Sequence, residues 1–264
     1  MHFYSKDKQG KVEPRYFVPM TKDPTKTRPS RVTDARKAAK SGEVWYPSVT
    51  TVLNVLDKPA LVNWKVDQHL RTAFEVPEMP QEPYYEWAGA IKRQTQERLD
   101  LAPKAGTDIH KVLEDYFSAP TMSPQNPIER LICQNVHAKL ELSLGSIDNM
   151  ECEKYFAENG YAGCADLVVV AQGVNWVIDY KSKQTADKFK PGKMQYPEHS
   201  RQLAAYGKAF FKDEPFRAAN VFVCLEDGEV DFCEIDHSKL ESGYLDFMDC
   251  LSIYTRNTYK PELV

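Results

Sequence analysis

Gly163-Cys164-Ala165-Asp166-Leu167-Val168-Val169-Val170-Ala171-Gln172-Gly173-Val174-Asn175-Trp176-Val177-Ile178-Asp179-Tyr180-Lys181 is the stretch from which the rest of the chain is read. Residues 161–170 and 174–181 have the apolar content of strands, and Gln172-Gly173 is a turn between them. Side chains alternate along a strand. Trp176, Ile178 and Tyr180 therefore point one way, and Val177, Asp179 and Lys181 the other. Asp179 and Lys181 share a face, and Asp166 reaches the same spot if the strands pair as a hairpin. Two carboxylates can hold a divalent cation, and a lysine beside them can act on the phosphate or water that the cation activates.

Further strands and helices extend from this pair on both sides. Residues 151–157 read as a preceding strand with Glu151, Glu153 and Tyr155 on one face. Residues 183–199 read as a polar loop carrying Lys183, Lys188, Lys190 and Lys193. A helix is expected at about 200–211, with Leu203, Ala204, Tyr206, Gly207 and Phe210, and with Gln202 one turn from Tyr206. Two strands at 219–226 and 229–235 meet at Asp227-Gly228, a hairpin signal. A last helix covers about 238–255. The sum is an α/β fold with a mixed central sheet of about five strands flanked by helices, and with a helical N-terminal part.

Upstream, residues 1–45 are basic and contain Pro14, Pro19, Pro24 and Pro29, which reads as a loop or loosely held arm. Ser48 can cap a helix carrying Val49, Val52, Leu53, Val55 and Leu56. A helix with Leu61, Val62, Trp64, Val66 and Leu70 follows Pro59. Residues 76–83 hold three prolines and read as a connecting loop. Further helices are expected at 84–101, at 105–117 and at 127–144. In the second of these, His110 and Glu114 lie one turn apart, beside the apolar stripe Ile109, Val112, Leu113, Tyr116 and Phe117. The expected organisation is an arm at 1–45, a helical part at 46–145 carrying Gly106 and His110, and a sheet-containing core at 146–264. Residues 46–264 are expected to form one compact unit.

Composition sets the outer bounds. The chain has 264 residues, 42% apolar and 27% charged, as a globular protein has. No stretch approaches a membrane span, and no signal-peptide core follows Met1, so a cytoplasmic location is expected, the host's if the gene is viral. The six cysteines form no CxxC pair, which argues against zinc knuckles and clustered iron–sulfur sites and for buried free thiols. Net charge is −4, yet residues 1–40 hold eleven Lys/Arg against four Asp/Glu, leaving −11 for the remainder. That distribution neither requires nor forbids a nucleic-acid partner.

Four spaced motifs carry a resemblance. Gly106 to His110 fits Gly-x-x-x-His, Gly163 to Asp166 fits Gly-x-x-Asp, Asp179-Tyr180-Lys181 fits (Asp/Glu)-x-Lys, and Gln202 to Tyr206 fits Gln-x-x-x-Tyr. In this order they resemble the PD-(D/E)XK nuclease superfamily, specifically the RecB-like and Cas4-like exonucleases and the mitochondrial genome maintenance exonuclease group, as a phage or bacterial member. The segment Tyr46-Pro47-Ser48-Val49-Thr50-Thr51-Val52-Leu53, with Leu61 and Trp64, resembles their N-terminal helical part. The resemblance covers about 46–211. The cysteine cluster of many Cas4-like relatives is absent, as is a GxxxxGK[ST] phosphate loop.

The resemblance implies a restriction-endonuclease-like core and a metal-dependent deoxyribonuclease using Mg²⁺ or Mn²⁺, with no iron–sulfur cluster and no nucleotide. Asp166, Asp179 and Lys181 are the expected catalytic residues. His110, Asp166 and Asp179 are the expected ligands, with Glu153 or Glu114 as a further ligand, a neighbouring group or a solvated residue. Gln202 and Tyr206 either contact the DNA backbone or brace Lys181, and Lys183, Lys188, Lys190 and Lys193 are expected along the DNA path. Exonuclease activity in recombination, repair or viral genome processing is the first reading. A structure-selective or single-strand endonuclease and an inactive nucleic-acid-binding module are the alternatives. The expected partners are DNA and a helicase or a single-strand annealing or binding protein, with no membrane.

Overall fold

The computed structural model describes residues 1–76, 84–119 and 124–261. The expected proline-containing loop at 76–83 lies, apart from Val76, outside the described residues. The chain divides into one unit of residues 1–56 and 113–264 and a second of residues 57–112.

The first unit opens with β1 (Phe3–Lys6), β2 (Val12–Pro14), β3 (Phe17–Pro19), β4 (Thr27–Pro29), α1 (Val32–Lys40), β5 (Trp45–Pro47) and α2 (Val49–Leu53). The structure differs here from the expected loose arm. β1 pairs antiparallel with both β2 and β5. Phe3 is fully buried in a cluster with Trp45, Val49 and Phe247. Pro14, Pro19 and Pro29 each end a short strand, where the missing N–H interrupts no central ladder. Ser48 caps α2 as expected, its Oγ accepting from the Thr51 N–H at 3.0 Å.

The second unit consists of α3 (Pro59–Glu75) and the N-terminal part of α4 (Tyr84–Ser118). Arg98 of α4 pairs with Glu75 of α3. The two helices expected on either side of Pro103 are one continuous helix.

From Leu113 the chain belongs again to the first unit, with α5 (Pro127–Leu144), β6 (Ile147–Glu158), β7 (Tyr161–Ala171), β8 (Val174–Lys183), α6 (Pro197–Phe211), β9 (Phe216–Cys224), β10 (Val230–Glu234) and α7 (His237–Asn257). The last five strands form a sheet in the order β10-β9-β8-β7-β6. Every pairing is antiparallel except β8 with β9, so the sheet is mixed. A parallel pair needs a crossover, and α6 supplies it. Leu203, Ala204 and Ala205 of α6 share a core with Val168, Val177 and Ala218 of the sheet and with Phe247 and Leu251 of α7. α5 packs on β9 and β10. The architecture is therefore α/β, a five-stranded mixed sheet flanked by helices, with helices preceding it. Cys133, Cys224 and Cys250 are buried thiols and the other three cysteines half-buried. Among the described residues no helix is long and apolar enough to cross a membrane.

Candidate active site

The β7–β8 ladder runs from Ala171↔Val174 to Leu167↔Ile178 and stops there. Asp166 is the next residue. Its Oδ2 accepts the Tyr180 backbone N–H at 2.7 Å, so a carboxylate takes a donor at the fork where the strands part. The alternation of β7 breaks at the same place: Tyr161, Ala165 and Val168, of mixed parity, all join one core cluster. Opposite Asp166 on β6, between the pairs Cys152↔Leu167 and Lys154↔Ala165, Glu153 has φ +48°. A non-glycine residue there is strained, and such strain gathers where a side chain must be re-aimed.

Asp179 and Lys181 share a face of β8, as alternation requires. Asp179 is 4% exposed. Its Oδ2 receives the Lys181 Nζ at 2.5 Å and the Asn220 Nδ2 at 3.3 Å, and its Oδ1 receives the Gln202 Nε2 at 3.0 Å. Asn220 stands directly beside Asp179 in the parallel register of β8 and β9. Gln202 reaches down from α6, accepting from Lys181 Nζ at 3.3 Å through Oε1 and lying 3.2 Å from the Tyr206 hydroxyl through Nε2. A lysine only donates and a carboxylate only accepts, so the two neighbours fix which way this amide points. Gln202 thus ties the base and the acid of the Asp-x-Lys pair together.

The electrostatics follow. Burial works against the Lys181 ammonium, but the Asp179 carboxylate, then Asp166 and Glu198, outweigh it and raise the lysine's pKa. Lys181 is therefore a cation at neutral pH. Burial first, and then Asp179, holds the Tyr206 phenol well above its usual range and neutral. Gly163 has a packing reason: a Cβ there would come within 2.7 Å of the Tyr206 ring and 2.8 Å of Phe156.

The other expected residues divide. Glu153 accepts from the Cys164 Sγ at 3.0 Å, and burial followed by Glu153 raises that thiol's pKa. Tyr155 hydrogen-bonds the same thiol, so Glu153 and Tyr155 reach one side of the strand despite the positive φ of Glu153. The Cys152 thiol is raised by burial and then by Glu114, Glu153 and Asp166, which places these three carboxylates within electrostatic reach of one atom. His110 lies on α4 one turn before Glu114, at the end of the second unit. Lys188, Lys190 and Lys193 are exposed on the segment after β8. That segment is not free: Phe189 and Met194 are buried against Phe222 and Cys224, and the Gly192 N–H donates to Asp231 at 2.8 Å.

Two neighbours escaped the sequence reading. Asn220 is fully buried in the apolar run Ala218-Ala219-Asn220-Val221-Phe222, and a lone amide in such a run was the available signal. His199 sits at the start of α6, which begins three residues earlier than expected, at Pro197. It carried no motif.

Asp166 and Asp179 are hard oxygen donors of the kind Mg²⁺ and Mn²⁺ prefer. Among the described residues the buried Asn220 Oδ1 has no hydrogen-bond partner, and it sits on the amide that touches Asp179. In kind, this donor set fits a hard divalent cation. Among the described residues no group of three or more His, Cys, Asp or Glu gathers as a cation site.

No family model matches the chain, and no curated protein matches it. Among solved structures the chain is similar to that of "Crystal structure of SSO0001", with 19% identity over 43% of this chain and 57% of that one and a TM-score of 0.25. The chain thus spans less than two thirds of that structure's length, and a likeness so slight carries no argument about fold or function.

Proposed function

We propose that this protein is a metal-dependent deoxyribonuclease that hydrolyses phosphodiester bonds, acting as an exonuclease. One observation carries the reading: Asp166 at the strand fork and the buried Asp179–Lys181 pair converge, with Gln202 bridging the pair. An ammonium held by a buried carboxylate, with an acceptor amide and a neutral phenol behind it, is more than a surface ion pair needs for stability. Asp166 and Asp179 would hold the cation, with Glu153 and Glu114 as further candidates. A bound Mg²⁺ or Mn²⁺ would supply a deprotonated water and neutralise charge on the phosphoryl oxygens. Lys181 donates hydrogen bonds where negative charge develops on the phosphate. Gln202 and Asn220 keep Asp179 oriented, and Tyr206 keeps the Gln202 amide in place. The exposed Lys188, Lys190 and Lys193 steer the DNA backbone toward an otherwise acidic site.

The test uses end-labelled linear and circular DNA, single- and double-stranded, with purified protein and Mg²⁺ or Mn²⁺. Release from ends with circles left intact supports the exonuclease reading. Cut circles would make the enzyme an endonuclease, and no hydrolysis of any substrate would leave a binding module.

A further inference from the structure

Along β8, the face that carries Asp179 and Lys181 continues to Lys183. Two residues of strand separate Lys183 from Lys181, about 6.6 Å, a step comparable with that between successive phosphates of a nucleic-acid strand. The Lys183 Nζ lies 5.7 Å from the ring centres of both Tyr196 and Phe222. Phe222 is fully buried and forms a fixed floor. Aromatic faces position an ammonium without neutralising it. Among the described residues no carboxylate pairs with Lys183. Burial and then the neighbouring Lys181 lower its pKa, so two like charges are held close in a partly desolvated place. An anion between them would relieve that cost.

His199 lies over the same floor, its ring 5.8 Å from Phe222 and 5.5 Å from Tyr196. Its Nδ1 accepts the Tyr196 N–H at 3.3 Å, which puts the ring proton on Nε2. Burial, Lys181 and Lys183 push its pKa down to about 3, so the ring is a neutral N–H donor at working pH. Capping α6 accounts for Nδ1 and leaves Nε2–H available. A neutral donor beside two ammonium groups can bond a phosphate oxygen without adding to their repulsion.

We propose that Lys183 and His199 form a subsite for the phosphodiester next to the one being cleaved. The subsite rests on the nuclease reading and adds to it a contact that sets the register of the strand against Lys181. In contrast to Lys188, Lys190 and Lys193, which face solvent and read charge at a distance, it would engage one defined phosphate.

A charge-deletion scan tests this. Oligonucleotides carrying a single uncharged methylphosphonate at successive positions around the cut are digested by the wild-type protein, Lys183→Gln and Lys183→Arg. For wild type, one position adjacent to the cut should slow kcat/KM by about tenfold or more, the cost of a lost charge-assisted bond. Lys183→Gln should be slower on unmodified DNA and should show no additional loss at that position, while Lys183→Arg keeps the loss. If Lys183→Gln folds poorly, His199→Phe, which keeps a ring over Phe222 and removes the donor, should blunt the same position. A variant profile that matches wild type at every position would overturn the subsite and leave the nuclease reading standing. A wild-type protein that cuts no unmodified DNA would overturn both.

Discussion

Lys181 is held by two acceptors, the Asp179 carboxylate and the Gln202 carbonyl, and this fixes where its charge sits. Lys181→Ala should reduce turnover by at least about a hundredfold, as for loss of a donor to developing charge. DNA affinity should change by less than about threefold, because the remaining backbone contacts are elsewhere. Steady-state kinetics and equilibrium binding, measured together, separate the two effects, and a mutant with normal turnover would make the lysine idle. Asn220 acts on the same carboxylate from the neighbouring strand. Asn220→Ala should lower turnover about tenfold with KM for DNA unchanged, since Asp179 keeps its place and loses one of the donors that orient it. A drop confined to KM would assign Asn220 to substrate contact instead. Sequence alone made Asp179 and Lys181 legible through the two-residue strand period. It could not make Asn220 legible in the same way, because its partner lies 41 residues away and pairs with it only through a parallel register. The φ of Glu153 was equally hidden, since nothing in Met150-Glu151-Cys152-Glu153 marks a left-handed residue.

At the level of elements, the strands at 161–170 and 174–181 and the Asp227-Gly228 turn were readable because period and turn chemistry agree. The N-terminal segment was not. Its prolines resemble loop punctuation, and only the burial of Phe3 and Tyr4 reveals short strands. α1 shows how this segment is held. Asp34 accepts from both terminal nitrogens of Arg28 at 2.8 Å and from the Arg31 N–H at 2.9 Å. The Arg28 hydrogen bonds, against a smaller opposing effect of burial, hold the Asp34 carboxyl below its usual range. A depressed folded pKa contributes stability that is complete above the unfolded value, roughly 3.9, and is lost as pH falls through the lower folded value. Asp34→Asn should therefore lower the thermal midpoint at neutral pH, by about 2 °C, and the difference from wild type should close in acid. An equal difference at every pH would remove the ion pair from the account. Residues 183–199 read as polar because four lysines dominate them, whereas Phe189 and Met194 pin the part after β8 to the sheet. Changing Lys188, Lys190 and Lys193 together to Glu should weaken DNA binding steeply and flatten the dependence of log affinity on log salt, since fewer counterions are released. The buried anchors are untouched, so the thermal midpoint should hold. Unchanged affinity and slope would move the DNA path away from this segment.

For the whole molecule, residues 1–56 fall in one unit with 113–264, and residues 57–112 form a second. Contact between segments far apart in sequence decides such a division, and no local pattern records it. The net charge of −4 was similarly silent, because it averages an acidic site with a basic segment. As the nuclease proposed above, the chain would have to bring a polyanion to two carboxylates. A divalent cation makes that possible, and the most direct measurement is hydrolysis of end-labelled DNA in EDTA, followed by re-addition of single metals. The account predicts that hydrolysis stops in EDTA and returns with Mg²⁺ or Mn²⁺ but not with Ca²⁺ alone, and that Asp179→Asn does not recover with any of them. Full hydrolysis in EDTA would contradict it.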